Sequence, residues 1–108
     1  MRLTTTGLGI GAVSAATKIH AYLNDTSVLG TLRLEQDGTG DASVHFLFTD
    51  LISWSIGIDN SDADKFMISQ SSNLADSNRL SITTAGAVHV PGAFSKGSGS
   101  FKIDHPLP

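Results

Sequence analysis

Three aspartates close together in the sequence, Asp59, Asp62 and Asp64, could supply carboxylate oxygens to a calcium ion. Their spacing departs from the Asp-x-Asp-x-Asp-Gly pattern of an EF-hand loop, and no distal glutamate follows. Aspartate also caps turns through its own side chain, and this stretch separates two strand-like segments. The preferred interpretation is a turn capped by aspartate, with a calcium site as the alternative. We accordingly predict no metal and no cofactor.

Carboxylates could also act in acid–base catalysis, which in glycoside hydrolysis needs two groups flanking the scissile bond. Glu35 is the only glutamate, and its position near Arg33 favours an ion pair. Asp37 and Asp41 could supply such a pair, but they lie in the turn that contains the Asp-Gly pair, where aspartate is expected for conformational reasons. The sequence contains no Gly-x-Ser-x-Gly motif and no cysteine. We therefore predict no catalytic residue and no enzymatic activity.

Histidine and aromatic side chains are the remaining candidates for binding. The histidines are His20, His45, His89 and His105. The first three fall on strand-like segments out of phase with the apolar positions, which favours solvent exposure; on a threefold axis each would instead present three imidazoles to one metal ion. Trp54 and Tyr22 could stack on a sugar, but Trp54 alternates in register with Ile56 and Ile58, which favours packing.

Composition excludes several classes of function. Charged residues make up 16% of the 108 residues, against about 25% in an average soluble domain. The net charge of -3 and the scattered Lys and Arg residues argue against a nucleic-acid partner. No apolar run approaches the roughly 18 residues of a membrane span, so no membrane insertion is expected. The length fits a single folded domain.

Alternating apolar and polar residues recur from about residue 31 to residue 84 and predict an antiparallel meander of half-buried strands. Residues 31–35 form the first such segment, and only residues 11–16 hint at a helix. The fold class is therefore all-β, with short strands in a meander or sandwich-like sheet. The predicted packing residues are Leu32, Leu34, Val44, Phe46, Phe48, Trp54, Ile56, Ile58, Phe66, Ile68, Leu80 and Ile82.

Polar loops separate these segments at residues 36–42, 59–64 and 70–78, and the first contains the Asp-Gly pair typical of hairpins. A repeat flanks the sheet, because residues 3–10 match residues 82–89: a threonine-rich strand, a glycine turn and a second short strand. We therefore predict an N-terminal collar at 1–23, a central sheet at 24–84, and a C-terminal collar and junction at 85–108.

Several motifs carry a family resemblance. They are Thr-Thr-Thr-Gly-Leu-Gly-Ile-Gly at residues 4–11 followed by Ala-Thr-Lys-Ile-His-Ala at 16–21, the stretches 34–43 and 54–62, and the tail Gly-Ser-Phe-Lys-Ile-Asp-His-Pro-Leu-Pro at 99–108. Together they resemble the shaft of bacteriophage tail fibres and tail spikes immediately before a C-terminal intramolecular chaperone domain. The resemblance implies an intertwined parallel homotrimer and a downstream chaperone domain, often removed by self-cleavage.

The function expected from this resemblance is a structural and adhesive segment of a virion tail fibre that supports host attachment. Its partners would be copies of itself, other tail-fibre segments and a host-surface glycan. The expected receptor-contact residues are Asp37, Thr39, Asp41, Asn60, Asp62, Asn73 and Asp76. The alternatives are a repeat of a secreted bacterial adhesin, located on the extracellular surface, and a capsule-degrading tail-spike fragment.

Overall fold

The computed structural model describes residues 1–12 and 14–100. Every regular element in this part of the chain is a β-strand, so the all-β prediction is confirmed and the hint of a helix at 11–16 is wrong. The chain divides into two compact units, Met1–Glu35 and Gln36–Pro108. The predicted strand of the tail, around Phe101, lies outside the described residues.

The first unit contains three short strands, β1 (Arg2–Leu3), β2 (Leu8–Ile10) and β3 (Ile19–Ala21). β1 and β2 form an antiparallel hairpin, and β3 pairs with β2 in parallel. Two backbone hydrogen bonds extend the parallel pairing, from Leu8 N to Lys18 O (2.6 Å) and from Tyr22 N to Ile10 O (2.8 Å). These strands are too short to stand alone in water, which is consistent with a segment that needs neighbours.

The second unit contains a five-stranded sheet: β4 (Ala42–Phe48), β5 (Ile52–Asp59), β6 (Lys65–Ser69), β7 (Asn78–Ile82) and β8 (Val88–His89). The strands follow one another in sequence order and every neighbouring pair is antiparallel, which confirms the meander. A register shift between Ile68 and Ser69 marks a β-bulge in the pairing of β6 with β7.

The first segment of the predicted meander is not a strand. Residues 31–35 have no strand conformation, and the sheet begins at Ala42. Leu32 and Leu34 are exposed, so they make no packed core in a single chain. Alternating apolar and polar residues in a short segment indicate which side chains would share a face if the segment were a strand. A strand forms only where a backbone partner is present.

The two halves of the internal repeat both fold as hairpins. Thr4 N donates to Gly7 O (2.9 Å) in the β1–β2 turn, and Thr83 N donates to Ala87 O (2.9 Å) in the β7–β8 turn. The matching threonine hydroxyls also accept hydrogen bonds across the turns, from Gly7 N (3.2 Å) and from Ala87 N (3.0 Å). The second turn is one residue longer, since Ile82 pairs with Val88 whereas Leu3 pairs with Leu8.

The register places the apolar residues of the sheet on one side, because directly paired residues share a face. We call this side the apolar face. Its members are Ala42, Val44, Phe46, Phe48, Ile52, Trp54, Ile56, Ile58, Phe66, Ile68, Leu80, Ile82 and Val88. It includes every predicted packing residue except Leu32 and Leu34.

Within one chain the buried side chains belong to the opposite side, which we call the polar face. Met67 and Ser69 on β6 and Ser55 and Asp59 on β5 are almost completely buried. The loop between β6 and β7 covers the end of this face near Ser55 and Ser69: Ser69 Oγ donates to Leu74 O (2.6 Å) and Ser55 Oγ donates to Ser71 O (2.8 Å). Leu74 itself is 1% exposed.

In a single chain, most of the predicted packing residues therefore lie on the more exposed side of the sheet. Phe46 is 59% exposed and Phe48 is 66% exposed, and Ile58 and Phe66 are exposed as well. The physical reason is that no loop or strand of the second unit, within residues 36–100, is folded over the apolar face in the way that the β6–β7 loop is folded over the polar one. Val44, Trp54, Ile56, Ile68, Leu80 and Ile82 are half-buried by their neighbours in the sheet.

A side chain added at Gly57 would test how closely β4 and β5 approach each other on the polar face. It is buried and pairs with Ser43, and a Cβ at this position would lie 2.6 Å from Ser43 Cα and collide with Ala42 O. We expect Gly57→Ala to lower the free energy of unfolding by about 1–3 kcal/mol, because two backbones must separate to admit the methyl group. Denaturant unfolding followed by the fluorescence of Trp54, the single tryptophan, measures the change.

Gly92→Ala is the matched control, because a Cβ there meets nothing within 4 Å. It should leave the unfolding midpoint within about 0.5 kcal/mol of the parent chain. Equal stability of the Gly57 and Gly92 variants would contradict the close approach of β4 and β5.

Candidate functional site

The apolar face is the first candidate site. Its residues form rows across the strands: one row runs through Val44, Ile56, Ile68 and Leu80, and the next through Ala42, Ile58, Phe66, Ile82 and Val88. No member is charged. Large contiguous apolar surfaces are rare on monomeric proteins and mark contact sites. This arrangement is suited to packing against another apolar surface.

Trp54 lies towards the end of this face at which β4 and β5 pair without β6, and it is directly paired with Phe46. It is half-buried, with apolar neighbours rather than charged or amide groups on its strand face. A sugar platform needs polar partners beside the ring to bind hydroxyl groups. The position therefore favours packing for Trp54, as its alternation indicates.

One end of the sheet brings two of the predicted receptor-contact loops together. Asn60 N donates to Asp41 Oδ1 (3.0 Å), and Asn60 Nδ2 donates to Thr39 O (3.1 Å). The 36–42 loop is thereby attached to the turn after β5. The loop is also stiffened internally, since Gln36 Oε1 accepts a hydrogen bond from Gly38 N (2.9 Å). Asp37 is exposed beside these contacts.

The turn between β5 and β6 is organised by Asp59. Its Oδ1 accepts hydrogen bonds from Ser61 N (2.8 Å), Ser61 Oγ (2.6 Å) and Asp62 N (3.2 Å). Its Oδ2 is buried and has no hydrogen-bond partner. Asp62 in turn forms an ion pair with Lys65, with Oδ1 and Nζ 2.8 Å apart. The preferred interpretation of this stretch, a turn capped by aspartate, is confirmed for Asp59.

The calcium alternative finds no support in the described residues. Nowhere in residues 1–12 and 14–100 do three or more His, Cys, Asp or Glu side chains come together in a way that could hold a metal ion. Asp64 is exposed and has a positive φ of 56°, at the end of the turn. The burial of Asp59 was not predicted, although the alternation of β5 does place it on the polar face with Ser55 and Gly57.

The third predicted loop lies at the opposite end of the sheet. It follows Ser69, whereas the Asp59 turn precedes Lys65 at the other end of the same strand. Asn73 Oδ1 caps its own loop by accepting from Ala75 N (3.1 Å), and Asp76 is exposed. The predicted receptor-contact residues therefore form two groups separated by the length of the strands, not one.

Most histidines have local roles or face solvent. His20 Nδ1 accepts a hydrogen bond from Ala16 N (3.1 Å), and its ring meets Tyr22 edge-on with centroids 6.5 Å apart. His45 Nε2 contacts the hydroxyl of Ser53 on the polar face. His89 is exposed, as its phase predicts, and His105 lies outside the described residues.

The predicted pairing of Arg33 with Glu35 is present, with 3.8 Å between Nη1 and Oε2. Both side chains are largely exposed, so the pair contributes little to stability. Asp41 Oδ1 accepts a hydrogen bond from Asn60 N, so this carboxylate helps to hold the 36–42 loop against the turn after β5.

Comparison of the chain with protein-family models, curated proteins and solved structures finds no match. Among the described residues, the structure contains no helix with the length and apolar character needed to cross a membrane.

Removal of the Asp59 carboxylate tests its role in the β5–β6 turn. Asp59→Ala leaves Ser61 N and Asp62 N without their buried acceptor, so we expect the free energy of unfolding to fall by about 1.5–3 kcal/mol. The matched control is Asp76→Ala, at an exposed aspartate for which the structure shows no side-chain hydrogen bond. A thermal or denaturant scan that gives both variants the same stability would contradict this role.

Proposed function

We propose that this chain is a structural and adhesive segment of a bacteriophage tail fibre, assembled as a parallel homotrimer. The observation that carries the proposal is the uncovered apolar face of the five-stranded sheet, with aromatic residues such as Phe46 and Phe66 exposed in a single chain. The resemblance of the threonine- and glycine-rich segments to tail-fibre shafts supplies the biological setting, the virion, and the further partners, other tail-fibre segments.

Burial of the apolar face between copies supplies the driving force. Each square ångström of apolar surface removed from water contributes about 25 cal/mol, and a fully buried aromatic side chain covers roughly 150–250 Å². Phe46, Phe48 and Phe66 leave a large share of that area in water in the single chain. Three copies of the apolar face can cover one another around a threefold axis. In such a parallel trimer, corresponding strands of the three copies run in the same direction along the axis.

The adhesive part of the proposal assigns host contact to the loops at the two ends of the sheet. Thr39, Asp41, Asn60 and Asp62 lie in the group at one end, joined through Asn60. Asn73 and Asp76 lie at the other end. Hydroxyl, amide and carboxylate groups are suited to the hydroxyls of a glycan. Three copies of a weak contact gain avidity without any new interaction. The proposal includes no catalysis, so release of sugars from capsular polysaccharide would contradict it.

Assembly is tested first by the solution mass of the chain from light scattering, which we expect to equal three chains. Val88 and His89 form a matched pair for this test, because they are adjacent exposed residues of β8 on opposite faces. Val88→Asp places a charge on the apolar face. It should raise the chain concentration needed for half-assembly at least about tenfold, since a buried unpaired carboxylate is costly.

His89→Asp introduces the same side chain on the polar face and should leave the trimer mass unchanged. A folded monomer of the parent chain would contradict the proposed assembly. Equal weakening by both variants would show that the apolar face is not the contact surface.

Host contact is tested by Asp37→Ala and Asp76→Ala, one substitution at each end of the sheet. Neither side chain makes a hydrogen bond in the structure, so the fold and the trimer mass should be retained. We expect at least one variant to compete with phage adsorption about tenfold less well than the parent trimer, because each loss is multiplied over three copies. Undiminished competition by both would leave the segment as a spacer.

A further inference from the structure

The first unit contains a cavity of its own. Its volume is about 330 Å³, and it is lined by Gly11, Ala12, Ser14, His20 and Tyr22. We call it the Tyr22 cleft. Sites for small ligands are concave, with volumes of about 300–1,000 Å³, and combine apolar or aromatic walls with a few well-placed polar groups. The Tyr22 cleft has both kinds of lining and lies at the small end of this range.

Two aromatic rings form a corner in this cleft. The ring centroids of His20 and Tyr22 are 6.5 Å apart, and the ring planes make an angle of 87°. Tyr22 is 52% exposed, so a ligand can reach its side chain. The backbone beneath the ring is held in place, because Tyr22 N donates to Ile10 O (2.8 Å). Gly11 approaches the same backbone so closely that a Cβ there would collide with Tyr22 O.

The hydrogen bond from Ala16 N to His20 Nδ1 (3.1 Å) defines the state of the imidazole. A ring nitrogen that accepts a hydrogen bond carries no proton, so the ring is neutral and its proton is on Nε2. Nε2 is therefore a hydrogen-bond donor, and the bond to Ala16 also fixes the orientation of the ring. His20 contributes an N–H donor to the cleft without contributing a charge.

The lining of the cleft is suited to a neutral sugar. Ser14 and Tyr22 each supply a hydroxyl, and in the part of the chain that the structure describes neither hydroxyl has a hydrogen-bond partner. None of the described residues that line the cleft is charged, so a phosphate or carboxylate would meet no cation there. A sugar ring offers an apolar C–H face to an aromatic ring and hydroxyls to the polar groups beside it.

We propose that the Tyr22 cleft binds one ring of a neutral sugar, with the C–H face of the sugar on the Tyr22 ring and its hydroxyls on His20 Nε2 and Ser14 Oγ. Trp54 has apolar neighbours on its strand face. Tyr22 instead has the polar groups of His20 and Ser14 in the same cavity, as a sugar platform requires. The inference depends neither on the proposed homotrimer nor on the loops at the ends of the sheet.

Saturation-transfer NMR tests the proposal on the full chain, with the methyl glycosides of glucose, galactose, mannose and N-acetylglucosamine as probes. One aromatic contact and a few hydrogen bonds make a weak site, so we expect at least one glycoside to bind with a dissociation constant of about 1–10 mM. Its strongest saturation should fall on the ring protons of one face, the face that lies on Tyr22. Absence of binding by all four glycosides would overturn the proposal.

Variants then locate the site. Tyr22→Ala should weaken binding of that glycoside at least about fivefold, because the aromatic contact is lost. Ser14→Ala should weaken it about two- to tenfold, through the loss of one hydrogen bond. Trp54→Phe is the matched control, at the other aromatic residue suited to a sugar, and should bind as the parent chain does. If circular dichroism shows that Tyr22→Ala loses the β signal, Tyr22→Leu replaces it with the same expectation.

The outcomes separate this site from the proposed function. A glycoside that binds the Tyr22 variant and the parent chain equally well overturns the cleft as the site, even though the chain binds sugar. Loss of binding in Trp54→Phe but not in the Tyr22 variant overturns it as well. A monomeric parent chain that binds a glycoside through Tyr22 would support the cleft while it contradicts the homotrimer.

Discussion

The pairing of Val44 with Ile56, of Ile56 with Ile68 and of Ile68 with Leu80 is the constraint on which the rest of the sheet depends. Because side chains alternate along a strand, this register gathers the apolar residues on one face and the hydroxyls and carboxylate on the other. A shift of one residue between any two strands would mix the two faces and leave buried serines beside isoleucines.

The polar face is buried because its polar groups find partners within the same chain. Ser69 and Ser55 donate to carbonyl oxygens of the β6–β7 loop, and Asn78 Oδ1 accepts a further hydrogen bond from Ser69 Oγ (2.5 Å). These bonds hold the loop against the sheet, where Leu74 is excluded from water. The apolar face has no such tether, since isoleucine and phenylalanine offer a loop no directional bond. A single chain thus buries part of its polar face and leaves much of its apolar face exposed.

The sequence predicts the strands well where alternation coincides with a chain neighbour. The segments around Val44, Trp54, Phe66 and Leu80 are strands in the predicted order, and the turn with Asp59 is capped as expected. Residues 31–35 have the same alternation but no strand partner, and the periodicity of a segment carries no information about its partner. The ends of the sheet at which the three predicted loops lie also could not be read from the sequence, because spacing along the chain does not give the end of a strand at which a loop lies.

The two open edges of the sheet limit how copies can be joined. Strand direction alternates along an antiparallel meander. Because this sheet has five strands, its two edge strands, β4 and β8, run in the same direction. In a parallel trimer, β4 of one copy would therefore meet β8 of the next in parallel, a slightly weaker pairing per residue. β8 contains only Val88 and His89, and Pro91 follows shortly after and lacks a backbone donor. Backbone pairing between copies is thus restricted to a few hydrogen bonds. In the proposed trimer, the larger share of the assembly energy would therefore have to come from side chains, above all those of the apolar face.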